Sequence, residues 1–153
     1  MSVRQSDNNE ILRRLAPCGL NCGKCLFYAD GEIRDLSIKL KERLGIFGPY
    51  ADRFSKGNAV FGNYKEFSEL LDFMTTVDCR GCREGGCRLP GCNVNNCTSS
   101  KNIDYCFQCE EFPCEKSNLQ GPLKDRWINM NNRMKEIGVS EYFKESSDTP
   151  RYI

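Results

Sequence analysis

A chain of 153 residues, 39% hydrophobic and with a formal net charge of +1, fits one domain with a modest core. It lacks the charge imbalance of a disordered chain or of a protein built to coat nucleic acid. Eleven cysteines and no histidine exclude histidine-dependent triads and histidine-bearing zinc motifs, and leave thiolate chemistry as the main resource.

Residues 1–15 read as a polar tail running into a short helix with Ile11, Leu12 and Leu15 as its apolar stripe; Pro17 is its stop. No apolar run follows the polar opening, so neither a signal peptide nor a membrane span is expected, and the chain is placed in the cytoplasm, where thiols stay reduced. Residues 16–77 hold a first knuckle and helices. Cys18, Cys22 and Cys25 form the knuckle, and Asp30 is a candidate cap for the helix after it. Ile33, Leu36, Leu40 and Leu44 then recur at helical spacing up to Gly45. Gly48-Pro49 reads as a break before a turn or two over 50–54, and 57–62 as a loop. Asn63 with Glu66 three residues on resembles a capping box for a helix that runs to about Thr76, with Tyr64, Phe67, Leu70, Leu71 and Met74 as its apolar face.

Residues 78–117 differ in kind. Gly, Pro, Asn and Cys dominate, no strand is legible, and Cys79, Cys82, Cys87, Cys92, Cys97, Cys106, Cys109 and Cys114 all fall here. An irregular segment of this length needs something in place of a core, and bound metal supplies it. Residues 118–145 return to helix. Leu123, Trp127, Met130, Met134 and Ile137 form a packing stripe closed by Gly138, and Val139, Tyr142 and Phe143 suggest a last short turn. The expected architecture is a single, mainly α domain over 1–153 with a cysteine-rich irregular metal-binding segment and little or no β.

Three C-x2-C pairs, Cys22/Cys25, Cys79/Cys82 and Cys106/Cys109, carry the chemistry. Two sulfurs at this spacing can meet one tetrahedral ion at about 2.3 Å while turn N–H groups face the thiolates. All-thiolate sites favour zinc or iron–sulfur. Zinc, two ions per chain, is the expected cofactor and an iron–sulfur cluster the alternative. Cys22, Cys25, Cys79 and Cys82 make one expected four-thiolate set, and Cys97, Cys106, Cys109 and Cys114 the other. Cys18, Cys87 and Cys92 are then spare or substitute for a named ligand. Two such zinc sites would take the net charge from +1 to about −3.

Other readings of the same residues are weaker. The C-x3-C-x2-C run at Cys18, Cys22 and Cys25 matches radical-SAM spacing, but no series of βα units accompanies it. The four-cysteine run of bacterial ferredoxins is absent. A thioredoxin-type dithiol would come with a βαβ pattern, which is not found. Arg80, Arg83 and Arg88 interleave with cysteines and could meet phosphates, but thiolate neutralisation is the simpler role. No P-loop, dinucleotide turn or acid–base pair is recognisable, so no catalytic residue is assigned.

Ala16-Pro17-Cys18-Gly19-Leu20-Asn21-Cys22-Gly23-Lys24-Cys25, Cys79-Arg80-Gly81-Cys82-Arg83 and Cys106-Phe107-Gln108-Cys109-Glu110-Glu111-Phe112-Pro113-Cys114-Glu115-Lys116 resemble the opening, middle and closing signatures of a bacterial and archaeal family, domain of unknown function 3795. The resemblance spans roughly residues 15–145, including Lys135-Glu136-Ile137-Gly138-Val139. It implies zinc binding, with ligand roles for Cys18, Cys22, Cys25, Cys79, Cys82, Cys106, Cys109 and Cys114. Cys87 and Cys97 sit where members often carry further cysteines, and Cys92 is an extra. No activity comes with the resemblance. The resulting expectation is a binding or adaptor module with structural zinc, its partner a protein first and RNA second, with an iron–sulfur or thiol-based redox protein as the alternative.

Overall fold

The structure, a computed structural model, describes residues 3–152; the first two residues of the expected polar tail lie outside them. Among the described residues there are eight α-helices, four short 3-10 turns and two isolated β-bridges, with no strand. The chain is mainly α. It divides into two compact units, one made of Met1–Cys25 with Arg80–Ile153 and the other of Leu26–Cys79.

In the Leu26–Cys79 unit, helices α2 (Glu32–Leu44), α3 (Gly48–Phe54) and α4 (Tyr64–Thr75) surround a small interior. Gly31 rather than Asp30 takes the N-cap of α2, without a side-chain cap bond, and Glu32 and Asp35 place negative charge in the first turn instead. Gly45 ends α2 at φ 51°, its N–H bonded to the Lys41 carbonyl. The expected break at Gly48-Pro49 is a helix start: proline lacks the N–H that the first turn leaves unpaired anyway, so it opens α3. Asn63 does precede α4, but its side chain makes no cap bond.

Helices α2 and α4 pack together. Lys41 meets Asp72 at 2.9 Å, and Arg34 Nε donates to the Thr75 carbonyl at 3.1 Å. Phe47 sits among Phe54, Phe61 and Tyr64, with centroid separations of 5.1–6.1 Å. The ends of the unit are sewn together where Cys79 N–H donates to the Phe27 carbonyl and Ala29 N–H to the Cys79 carbonyl. The stripes expected to form its core are only partly inside. Leu71 is buried, while Leu36, Leu40, Phe67 and Leu70 are exposed. Three short helices enclose too little volume to cover every position of each stripe.

The other unit is built from α1 (Val3–Arg14), α5 (Cys82–Gly85), α6 (Val94–Ser100), α7 (Gly121–Ile137) and α8 (Val139–Asp148). Helix α7 is its spine. Trp127, Asn131 and Met134 project inward from it, while Leu123 is half exposed. Met134 packs with Ile11, Leu15, Tyr105 and Tyr142; Trp127 packs with Val94, Cys106 and Leu119. Gly138, at φ 85°, turns the chain into α8, which is ten residues long rather than the short turn expected. Tyr142 Oη then donates to the Gly19 carbonyl at 2.9 Å.

Asn131 lies within the α7 stripe and is fully buried. Its amide donates to the carbonyls of Cys18 (2.9 Å) and Trp127 (3.0 Å) and accepts from the Phe107 N–H (3.0 Å). One side chain thus ties the opening knuckle and the closing knuckle to the same helix. Gly19 passes close over α7 at φ 94°, where a Cβ would lie 2.8 Å from Met130 Cβ.

Trp127→Ala is expected to lower unfolding free energy by about 3–5 kcal/mol through the cavity it leaves, read by denaturant titration. Asn131→Ala is expected to cost about 1–3 kcal/mol through unpaired buried backbone groups, read in the same way.

Candidate metal centre

All eleven cysteines are free thiols. In the unit built on α7 they gather in two neighbourhoods. Cys97, from α6, joins Cys106 and Cys109, which flank a 3-10 turn, and Cys114, at the start of another. These four line one cavity of about 20 Å³ together with Trp127, Phe112 and Lys101. That is room for little more than one water-sized occupant. It is the second of the two sets expected from spacing.

The surroundings of this cavity act on its thiols in opposite directions. Burial pushes the Cys106 thiol up to about 11, and the nearby sulfurs of Cys114, Cys97 and Cys109 act in the same direction. The Trp127 indole N–H makes no hydrogen bond of standard geometry. It does lie near enough to the Cys106 sulfur to favour its charged form. Lys101 Nζ approaches Cys109 Sγ at 3.0 Å and lowers that thiol from its ordinary range. Lys101 is held there by an ion pair with Glu111, which Lys116 also grips at 2.8 Å. A soft dication offers these sulfurs the compensation that water no longer gives, and the all-sulfur donor set matches zinc. Zinc bound here would supply a fixed tetrahedral cross-link.

The second neighbourhood contains Cys18, Cys22, Cys82, Cys87 and Cys92. Burial pushes Cys18 up to about 12, with Cys22 and Cys87 among the charges that raise it further. Cys82 is likewise pushed up to about 12 by burial, with Cys18, Cys22 and Cys87 as its neighbouring sulfurs. Arg83 fixes the Cys82 turn. Its guanidinium donates to the carbonyls of Leu12 (3.0 Å), Leu15 (3.5 Å) and Asp104 (2.7 Å) and lies over the Tyr105 ring. That arginine therefore works inside the fold, not on a phosphate. Cys22 and Cys82, from the first expected set, meet here. Cys25 caps the same 3-10 turn as Cys22, its N–H bonded to the Cys22 carbonyl and its sulfur 3.6 Å from Tyr152 Oη, and Cys79 belongs to the Leu26–Cys79 unit.

Among the described residues no three Cys, Asp or Glu side chains are already set at ion-holding distance. Spacing alone did not single out Lys101 or Asn131, and it gave Arg83 a thiolate-neutralising role rather than its bonds to backbone carbonyls. Arg83 carried the one usable signal, its place directly after a knuckle cysteine.

A family model described as "Protein of unknown function (DUF3795)" matches residues 14–119 of the 153. The chain belongs to the DUF3795 family. The matched stretch contains every cysteine of this DUF3795 protein, whereas α7 and α8 lie beyond it. No curated protein and no solved structure matches the chain.

In the metal-free protein, Lys101→Met is expected to move the half-reaction pH of Cys109 alkylation upward. The ammonium favours the thiolate, so removing it leaves less thiolate at neutral pH. Peptide-resolved alkylation rates across pH check this; an unchanged midpoint would contradict it.

Proposed function

We propose that this DUF3795 protein is a binding or adaptor module stabilised by structural zinc, two ions per chain. The convergence of Cys97, Cys106, Cys109 and Cys114 on one small cavity carries the reading. Cys97 comes from α6, Cys106 and Cys109 from one 3-10 turn and Cys114 from the start of the next, and folding of this segment brings the four to one cavity. A second thiol neighbourhood in the same unit supports the second ion. Zinc in such a site releases protons on binding and contributes folding free energy, about 10 kcal/mol or more in isolated structural sites. Reduced thiols throughout suit the cytoplasm. No helix among the described residues is long and apolar enough to cross a membrane.

A protein partner fits better than RNA. Ile46, Leu36, Val60 and Leu70 are all more than half exposed in the Leu26–Cys79 unit, which is a large apolar surface for so small a body. Arg83, the candidate phosphate contact at the middle knuckle, is spent on backbone carbonyls.

Elemental analysis of protein purified without air tests the zinc. Two zinc per chain and no visible colour are expected. Iron, with absorbance near about 400 nm, would establish the iron–sulfur alternative. Cys109→Ser is expected to remove one ion, and chelation to lower the melting temperature. Unchanged stoichiometry or superimposable melting curves would count against structural zinc.

A further inference from the structure

We infer that residues 149–152 form a strap across the opening knuckle, pinned by Arg151. When this strap lifts, the Cys22–Lys24 turn loosens and the Cys25 thiol is uncovered. The device belongs wholly to the α7 unit and needs no ion, since every contact that closes it is made by the protein's own groups.

The strap begins where α8 ends. Asn21, buried at the head of the knuckle, donates from Nδ2 to Ser146 Oγ at 3.1 Å and to Ser147 Oγ at 3.2 Å. Both serine hydroxyls donate in turn to the Phe143 carbonyl, at 2.9 and 2.8 Å, which leaves their oxygens to accept from Asn21. With Tyr142 Oη on the Gly19 carbonyl, these bonds set α8 beside the knuckle. Pro150 disfavours helical backbone at the residue before it, and Thr149 is extended at φ −109° and ψ 150°. The chain therefore leaves α8 in an extended run and returns to Asn21.

Arginine side chains hold that run down. Arg151 Nη1 donates to the Asn21 carbonyl at 3.0 Å, and Arg126 Nη2, from α7, donates to the Arg151 carbonyl at 2.8 Å. The Arg151 guanidinium lies 5.9 Å from the Tyr152 ring centroid, and Tyr152 Oη lies 3.6 Å from Cys25 Sγ. The Asn21 carbonyl also accepts the Lys24 N–H at 3.3 Å, and Cys25 N–H donates to the Cys22 carbonyl at 2.9 Å. Arg151 thus grips the same carbonyl on which the 3-10 turn is built. The grip lies at the surface. Thr149, Pro150 and Tyr152 are exposed, whereas Asn21 and Tyr142 are buried. Segments held by wet hydrogen bonds, with little apolar burial, open ahead of the body they rest on. The strap accordingly lifts with α8 still docked, and lifting admits a soft cation or an electrophile to Cys25.

Amide hydrogen exchange of the purified protein, resolved by peptide, reads the turn. Arg151→Ala is expected to speed exchange in the peptide holding Lys24 and Cys25 roughly tenfold, the effect of losing one hydrogen bond from a charged donor. Peptides from α7 are expected to keep the wild-type rate. Iodoacetamide alkylation with chelator present reads the cover over the thiol. Tyr152→Ala is expected to speed Cys25 alkylation several-fold while Cys109, in the other thiol neighbourhood, keeps its rate. Tyr152→Phe retains the ring and is expected to stay near wild type. Wild-type exchange at the turn in Arg151→Ala, or a rise spread evenly over the turn and α7, would overturn the strap. Equal Cys25 rates in wild type and Tyr152→Ala would overturn its covering of the thiol. Zinc content enters neither readout, so the two-ion reading stands or falls separately.

Discussion

A thiol taken out of water resists ionisation, and several thiols taken out together resist it more. That constraint governs the α7 unit. Cys18, Cys82 and Cys106 are held well above the ordinary thiol range by burial, each with other cysteines close by. Hydrocarbon would fill the same space at less cost in reactivity. Crowding sulfur into it makes physical sense when a cation is present to bind the thiolates, since a soft dication then converts a set of poorly solvated groups into a cross-link. The segment between Cys82 and Ser117 fits this account. Its regular elements are two short helices and two 3-10 turns, and few of its apolar residues are buried.

Hydrogen bonds position the sulfurs before any ion arrives. Asn131 bridges the backbone near Cys18 to that near Cys106 from one buried point on α7. Arg83 ties the Cys82 turn to the end of α1 and to Asp104. Lys101 brings positive charge to Cys109. The thiol neighbourhoods belong to the unit that contains α7, whereas the Leu26–Cys79 unit presents most of the exposed large apolar side chains. On the proposed reading, bound zinc would rigidify the first unit and the exposed apolar side chains of the second would offer the contact surface of a protein-binding module.

Helices driven by strong local signals were legible in the sequence. The run after Asn63 and the stripe from Leu123 to Ile137 appear close to where periodicity places them, and Gly45 and Gly138 end helices as glycine should. Features that depend on tertiary context are not legible in the same way. Gly48-Pro49 looked like punctuation, yet proline suits the first turn of α3. Leu36, Leu40, Phe67 and Leu70 had core spacing but lie on a unit too small to enclose them. Within the thiols, the grouping of Cys97, Cys106, Cys109 and Cys114 was legible because the four are near in sequence and belong to one run of turns. The approach of Cys82 to the opening knuckle was not, because Cys82 and Cys18 are 64 residues apart and it is Arg83 that ties the Cys82 turn to the carbonyls of Leu12 and Leu15.

X-ray absorption at the zinc edge of the purified protein measures the central interaction directly. The account predicts a first shell of four sulfurs at about 2.3 Å with no nitrogen or oxygen component. A shell dominated by light atoms, or a protein with no zinc edge above background, would contradict it.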